Sequence, residues 1–269
     1  MSSLLCPLCG AGKARPFLRR PELRVLRCPC GLAFAADDCP AEAYGADYFR
    51  KWGNPSAGLV AMKKRTYRRI LAGVTRPGVR RVVDVGCALG WSLDAAREAG
   101  LEPAGVEVSE HAAREAGRRH DVRRSAGAFE AGAFDAATLV DVIEHVRDPV
   151  GLLRETCRLL KPGGLLALTT PDLSSLSARW MGSRWPYVIP EHVVYFDRAT
   201  IRRALRQAGF EPFRIGPARK SLRADYVASI LEARGDALGR WSSRLARLLR
   251  GLEIGIATGD LMAVASARP

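Results

Sequence analysis

Nine residues, Val82-Val-Asp-Val-Gly-Cys-Ala-Leu-Gly90, constrain this chain more than any other stretch. A short apolar run ends in an acid, and a glycine-spaced loop follows at once. The run reads as a buried strand and the loop as a turn into a helix. Gly86 permits a turn that a side chain would obstruct, and Gly90 lets the backbone approach a ligand. In open parallel sheets, ligands bind beyond the carboxyl ends of the strands, where this loop would sit.

The downstream residues keep the same rhythm. Trp91 to Ala99 reads as a helix stopped by Gly100, Ala104 to Val108 as a second strand, and Ser109 as the cap of the next helix. A weak third strand lies near Val122, and a fourth spans Ala136 to Val140. Asp148-Pro149 starts a helix that runs to Leu160 and ends at Lys161-Pro-Gly-Gly164, before a fifth strand at Leu165 to Thr169. Asp197 caps a helix ending at Ala208-Gly209. Phe210 to Ile215 is strand-like, residues 219–252 read as helical and Arg-rich, and Leu261 to Ala265 can close the sheet. Strand–helix alternation with short connections implies parallel strands and crossover helices, an α/β doubly wound sheet. Residues 171–196, rich in Ser, Trp and Pro, break the pattern and read as a lid over the sheet edge. The expected units are a cysteine module at 1–40, a helical connector at 41–75 and the α/β domain at 76–269.

The loop's ligand follows from charge. A triphosphate site needs a Lys after its last glycine, and none follows Gly90. A dinucleotide is harder to dismiss, because Glu107 lies 21 residues past Gly86, where a carboxylate can accept ribose hydroxyls. Asp84 decides against it. A carboxylate there would repel a pyrophosphate and welcome an ammonium and a sulfonium. S-adenosylmethionine (SAM) has a ribose, no phosphate and both cationic groups.

Taken together, Asp84-Val-Gly-Cys-Ala-Leu-Gly90, Glu107, Phe134-Asp-Ala-Ala-Thr-Leu-Val-Asp-Val-Ile-Glu-His-Val146 and Leu160-Lys-Pro-Gly-Gly164 resemble the successive motifs of class I SAM-dependent methyltransferases. The resemblance covers roughly residues 76–269 and implies a Rossmann-like, seven-stranded sheet. It implies that Asp84, Gly86 and Gly90 cradle the methionine end of SAM, that Glu107 holds the ribose, and that Asp141 lines the methionine side. Two positions depart from the pattern. Ala88 replaces the usual middle glycine, and Ala128 stands where many relatives place an acid near the adenine amine.

Cys6-Pro-Leu-Cys9-Gly and Cys28-Pro-Cys30-Gly are separated by 18 residues, and four thiolates can close a tetrahedral zinc site. A 40-residue module gains from a metal, since it cannot build much core unaided. The chain has seven cysteines, an odd number, and no export signal, which argues against a disulfide framework. Cys28-x-Cys30 is one residue shorter than the usual C-x-x-C pair; Cys39 is a spare ligand candidate that reads more as a free thiol. Small N-terminal zinc modules also occur in the resembling sugar and natural-product methyltransferases. Zinc here would be structural, because four Cys leave no open position.

Methyl transfer needs an aligned nucleophile and, where required, a base. The chain has four histidines. His111 and His120 fall on or beside a polar helix and read as solvated. His145 follows the fourth strand near the cofactor loop, where it could reach substrate, but it reads first as packing beside a helix start. His192, in Pro190-Glu-His-Val-Val-Tyr-Phe196, has Glu191 adjacent and Tyr187 and Tyr195 near, and is the strongest candidate base. In the resembling sugar methyltransferases a similar Glu-His pair supplies the base and its helper, which implies those roles for His192 and Glu191. Their motif has a tyrosine where Ile189 stands here. Trp180, Trp185 and Tyr187 suit a platform for a ring-shaped acceptor.

Net charge is +14, with 36 Arg against 6 Lys. Biased codon usage accounts for such a composition as well as a phosphate-bearing partner does. Arg240 to Leu252 forms an amphipathic helical pattern that suits ordinary packing or an anionic membrane surface. No apolar run reaches the length of a transmembrane segment, and cytoplasmic placement, soluble or membrane-peripheral, is the expectation. The expected function is SAM-dependent methylation of a small hydroxylated or keto acceptor: a nucleotide-linked sugar, or a polysaccharide or natural-product precursor, free or lipid-linked. The alternatives are an RNA methyltransferase and a non-catalytic scaffold of the same fold.

Overall fold

The computed structural model describes residues 4–37, 57–223 and 253–269. Cys39, the connector before residue 57 and the Arg240 to Leu252 stretch lie outside these described residues.

Seven strands form the main sheet: β4 (Arg81–Val85), β5 (Glu102–Val106), β6 (Asp121–Arg123), β7 (Phe134–Val140), β8 (Leu160–Pro171), β10 (Phe210–Arg223) and β11 (Glu253–Ala267). Their spatial order is β10-β11-β8-β7-β4-β5-β6. The strands from β8 to β6 run parallel, and β11 enters antiparallel between β8 and β10. The chain moves outward from β4 through β5 to β6, then crosses back to β7 beside β4. That reversal opens a crevice at the carboxyl ends of β4 and β7, the place where this architecture binds ligands.

Helices cover both faces: α1 (Ala57–Leu71), α2 (Trp91–Glu98), α3 (Glu110–Gly117), α4 (Pro149–Leu159), α5 (Leu176–Met181) and α6 (Arg198–Gln207). Because the central strands are buried on both faces, their middles are apolar, and their polar residues, such as Asp84, Thr138 and Thr169, are hydrogen-bonded. Val83, Leu139, Leu166 and Leu168 are fully enclosed on one side with Leu153, Ile201 and Leu205. Ile70 and Leu71 of α1 close the other side against Val82, Ala95 and Leu165. The Asp148 side chain caps α4 through Gly151 N, and Asp197 forms a reciprocal capping box with Thr200 on α6.

Three local expectations change. Ser109 stands at the cap position of α3, but its side chain makes no capping bond. Its N–H instead donates to Glu107. Lys161-Pro-Gly-Gly164 is not a separate turn but the irregular entry of β8, with a register shift against β7. Residues 219–223 are strand, not helix, because β10 continues past Ile215 in register with β11.

A second, four-stranded sheet has the order β1-β2-β3-β9. The hairpin β1 (Arg15–Arg20) and β2 (Leu23–Arg27) and the short β3 (Ala33–Ala35) belong to the cysteine module. The fourth strand, β9 (Val194–Tyr195), comes from the far end of the Ser/Trp/Pro-rich segment and pairs with Ala33 and Phe34. Arg20 strengthens the seam by donating to the carbonyls of Ser183 and Trp185, at 2.6 and 3.2 Å. The segment is thus stitched to the N-terminal module by main-chain bonds.

Candidate active site

At the end of β4 the chain turns through Gly86 (φ 83°), where a Cβ would come within 2.4 Å of Val142. Gly90 also needs its positive φ, and a Cβ there would press on Ala116 of α3 at 3.0 Å. Helix packing, not only ligand approach, therefore demands glycine at position 90. Ala88 adopts a left-handed φ of 47°, a conformation that favours the glycine it replaces.

Asp84 is buried beneath the loop. Its carboxylate accepts hydrogen bonds from Thr138 of β7, at 2.6 Å, and from Ser92 in the first turn of α2. It clamps strand, helix and neighbouring strand together. Burial raises its pKa to about 6. Glu107 follows β5 and is also buried. One oxygen accepts the Ala88 N–H at 2.9 Å and the other the Ser109 N–H at 2.8 Å, so this acid holds the middle of the loop. Burial raises the Glu107 pKa as well.

Across the crevice, Asp141 sits just after β7 with φ 54°. Its carboxylate accepts from Thr169 at 2.8 Å and from the Lys220 ammonium at 2.8 Å. Lys220 also donates to Asp260 at 2.9 Å, and Asp260 accepts from the Tyr187 hydroxyl at 2.9 Å. Burial works to raise the Asp141 pKa, but Lys220 outweighs it and holds the carboxyl at about 2. Lys220 in turn is kept charged by its two acids despite its own burial. Asp141 and Tyr187 are residues the sequence singles out, and the structure joins them through Lys220 and Asp260. Lys220 and Asp260 were missed because the strand carrying Lys220 reads as helix. The one local signal is Asp260 placed immediately before the apolar run Leu261 to Ala265.

His192 is 5% exposed and lies against His145, with ring centroids 4.8 Å apart. It stacks at 6.1 Å on Tyr187 and meets Tyr195 edge-on at 6.2 Å. Its Nδ1 donates to the Tyr187 carbonyl at 2.8 Å. Burial, helped by the neighbouring His145, drives its pKa down to about 3, so the ring is neutral. Glu191 contributes its main-chain carbonyl, which accepts from His145 Nδ1 at 2.8 Å. The carboxylate that lies with the two imidazoles is that of Glu144, in the short turn Ile143–His145. Glu144 is 2% exposed and accepts from the Thr170 hydroxyl at 3.0 Å. Burial and the nearby Asp141 push its pKa well above the usual range. Sequence reasoning gave Glu144 no role, although an acid inside Val142-Ile-Glu-His-Val146 is a signal of its own.

The other aromatic and histidine expectations divide. Trp185 is buried against Tyr187, at 5.0 Å, while Trp180 is 88% exposed, so the three rings do not form one platform. His120 is not solvated. Its ring is buried and its Nε2 lies 2.7 Å from Asp94.

In the N-terminal module Cys6, Cys9, Cys28 and Cys30 converge, with Sγ separations of 3.6 Å (Cys6–Cys30) and 3.5 Å (Cys9–Cys28). Tetrahedral zinc with Zn–S bonds of about 2.3 Å requires sulfur separations of roughly 3.8 Å. Gly10 (φ 72°) and Gly31 (φ 99°) turn the chain after each pair. The N–H groups of Ala11 and Leu32 then face the sulfurs of Cys9 and Cys30. The shortened Cys28-x-Cys30 spacing therefore still closes a four-thiol cluster that fits the ion.

Sheet order, glycine loop and acids together describe a nucleoside-binding crevice, and the profile of the methyltransferase domain family matches residues 59–214. The chain belongs to the class I SAM-dependent methyltransferases. Among curated relatives, the methyltransferase is similar to two proteins named ubiquinone biosynthesis O-methyltransferase. It is 31% identical to that of Xanthomonas axonopodis over 153 residues, half of this chain and 64% of the relative. It is 30% identical to that of Ralstonia nicotianae, over 49% of this chain and 63% of the relative. The match thus spans less than two thirds of either relative's length. Its fold resembles that of the methyltransferase in a Haloferax volcanii complex with the Trm112 methyltransferase activator (TM-score 0.60, 22% identity, 83% of this chain and 97% of that one). It also resembles a SAM-dependent methyltransferase from Archaeoglobus fulgidus (TM-score 0.56, 19% identity, 81% and 97%). At these identities the structures speak for the fold of the methyltransferase alone.

Proposed function

We propose that this methyltransferase transfers the methyl group of SAM to an oxygen of a small hydroxylated acceptor, such as a sugar-linked or natural-product precursor, and that its N-terminal module holds a structural zinc. The observation that carries the acceptor end is the neutral His192 imidazole. Its Nδ1 is committed to the Tyr187 carbonyl, so the lone pair is on Nε2, available to address a hydroxyl. The name shared by the curated relatives supports oxygen as the methylated atom.

When bound, SAM would supply an electrophilic methyl group: an acceptor oxygen bonds to the methyl carbon as its bond to sulfur breaks, S-adenosylhomocysteine leaves, and the hydroxyl proton would pass to His192 Nε2. The residues of this chain bind and align. Gly86, Ala88 and Gly90 shape the loop, and Glu107, which now accepts from the Ala88 and Ser109 N–H groups, would accept the ribose hydroxyls. Asp84 contributes negative charge beneath the methionine end, and Asp141 contributes it from the side. Burial of Glu144, His192 and Asp260 keeps water from competing with the acceptor. Among the described residues, no helix is long and apolar enough to cross a membrane. Cys6, Cys9, Cys28 and Cys30 would cross-link the module through zinc and leave the ion no open position for chemistry.

The test is an assay with methyl-labelled SAM against separated RNA, lipid and small-metabolite pools. Label should appear in the metabolite or lipid pool and disappear in His192→Ala, while SAM still binds. Label confined to RNA overturns the acceptor class, and SAM binding without label in any pool favours the scaffold.

A further inference from the structure

The described residues contain a second convergence of metal-ligating groups besides the four cysteines: Glu144, His145 and His192. One carboxylate oxygen and one nitrogen from each ring lie within 4.8 Å of one another. Each imidazole is oriented in the way metal ligands are. His145 Nδ1 donates to the Glu191 carbonyl and His192 Nδ1 to the Tyr187 carbonyl, both at 2.8 Å. Those bonds fix the neutral tautomer that carries its lone pair on Nε2, and they hold the rings in place. The Thr170 hydroxyl does the same for the Glu144 carboxylate. The backbone ties the two sources together, because Val193 N donates to the Glu144 carbonyl at 2.8 Å.

We propose that Glu144, His145 and His192 bind a divalent first-row transition ion, with open coordination positions that take an oxygen of the acceptor. Two imidazoles and one carboxylate suit manganese, iron, cobalt or zinc, whereas calcium and magnesium prefer oxygen throughout. Three protein ligands leave room for an exogenous one, unlike the closed four-thiol cluster. A bound cation would favour the ionised form of Glu144, an acid 2% exposed beside the two rings. The ligand class that follows is an acceptor with a hydroxyl, or two neighbouring hydroxyls, able to coordinate. This inference rests on the reading that the acceptor oxygen comes to His192, and it lets the imidazole act on that oxygen through the ion.

The test uses the full chain with zinc in its cysteine module, stripped of other metals and titrated with Co2+. Visible absorption separates nitrogen and oxygen ligation, which gives weak bands, from thiolate ligation, which gives intense charge-transfer bands. The expected result is one equivalent of Co2+ bound with weak bands. Affinity should fall at least roughly tenfold in Glu144→Gln and in His192→Asn. The spectrum of the parent protein needs no variant to fold, and circular dichroism checks each variant. Absence of Co2+ binding with weak bands overturns the site, as does unchanged binding in both folded variants. A hydrogen-bonded triad without metal would give the first of these results. The methylation assay run with and without chelator separates this inference from the reading beneath it. Transfer that resists chelation yet is lost in His192→Asn removes the metal and keeps the acceptor site. Intact Co2+ binding with no transfer to any small molecule removes the acceptor reading and keeps the metal.

Discussion

The two proposed halves of the site, one for SAM and one for the acceptor, are assembled differently. The SAM half is built from neighbours in sequence: Asp84, the glycine loop, Ser92 and Glu107 all fall between residues 84 and 107. The acceptor half draws Glu144 and His145 from the turn after β7, His192 from the segment before β9, Lys220 from β10 and Asp260 from β11. Its frame reaches further still, to β3 of the cysteine module, which pairs with β9. A half made of contiguous residues is rigid once its strand and helix form. One made of distant residues depends on everything that holds those segments in register. The SAM half should therefore tolerate damage to the module, and the acceptor half should not.

The largest effect is expected from the four-thiol cluster. Cys9→Ser should release zinc and unfold the module, since structural zinc contributes on the order of 10 kcal/mol in units this small. With β3 gone, β9 loses its partner and His192 its frame. Methyl transfer should collapse, while the SAM dissociation constant by calorimetry stays within about threefold of the parent value. Equal loss of both would break the distinction between the halves.

Next comes Lys220→Met. It removes the ammonium that donates to both Asp141 and Asp260 and leaves Lys63 as the cation acting on them. Removing one partner from such a buried group costs roughly 3 kcal/mol, read as a lower denaturant midpoint. A midpoint unchanged from the parent would show that Lys220 is not the tie between β7 and β11.

Asp84 sharpens the other side through pH. Its folded pKa of about 6 lies above the ordinary value of 3.8. The group therefore favours folding most when protonated. That contribution is complete below about pH 4 and is lost as pH rises through about 6, an amount of about 3 kcal/mol. Asp84→Asn keeps one acceptor and offers its amide N–H to the other hydroxyl, and it should remove this slope from the pH profile of urea stability. A slope that survives in the variant must come from another group.

The same division explains what could be read from the residues alone. Alternating apolar runs, Asp148-Pro149 and the Asp197 cap are local signals, and the sheet and most helices follow from them. The glycine loop, Glu107 and the four cysteines are local patterns too. Lys220 was hidden because Arg-rich sequence around it looks helical, and only pairing with β11 makes it strand. Glu144 was hidden because its meaning depends on His192, 48 residues later in the chain. Glu191 is marked by its adjacency to His192, and in this packing its carbonyl accepts from His145 while its charge also acts on that ring. Pairing across long sequence separations carries no periodicity, so no window of the chain displays it.

The most direct test of the SAM half is a calorimetric titration of the purified chain with SAM and, separately, with NAD. SAM should bind and NAD should not. Glu107→Gln should weaken SAM by about 1.5–3 kcal/mol, as expected for loss of hydrogen bonds to a charged group. Uptake of NAD in place of SAM, or indifference of SAM binding to Glu107→Gln, would contradict the assignment of the two acids.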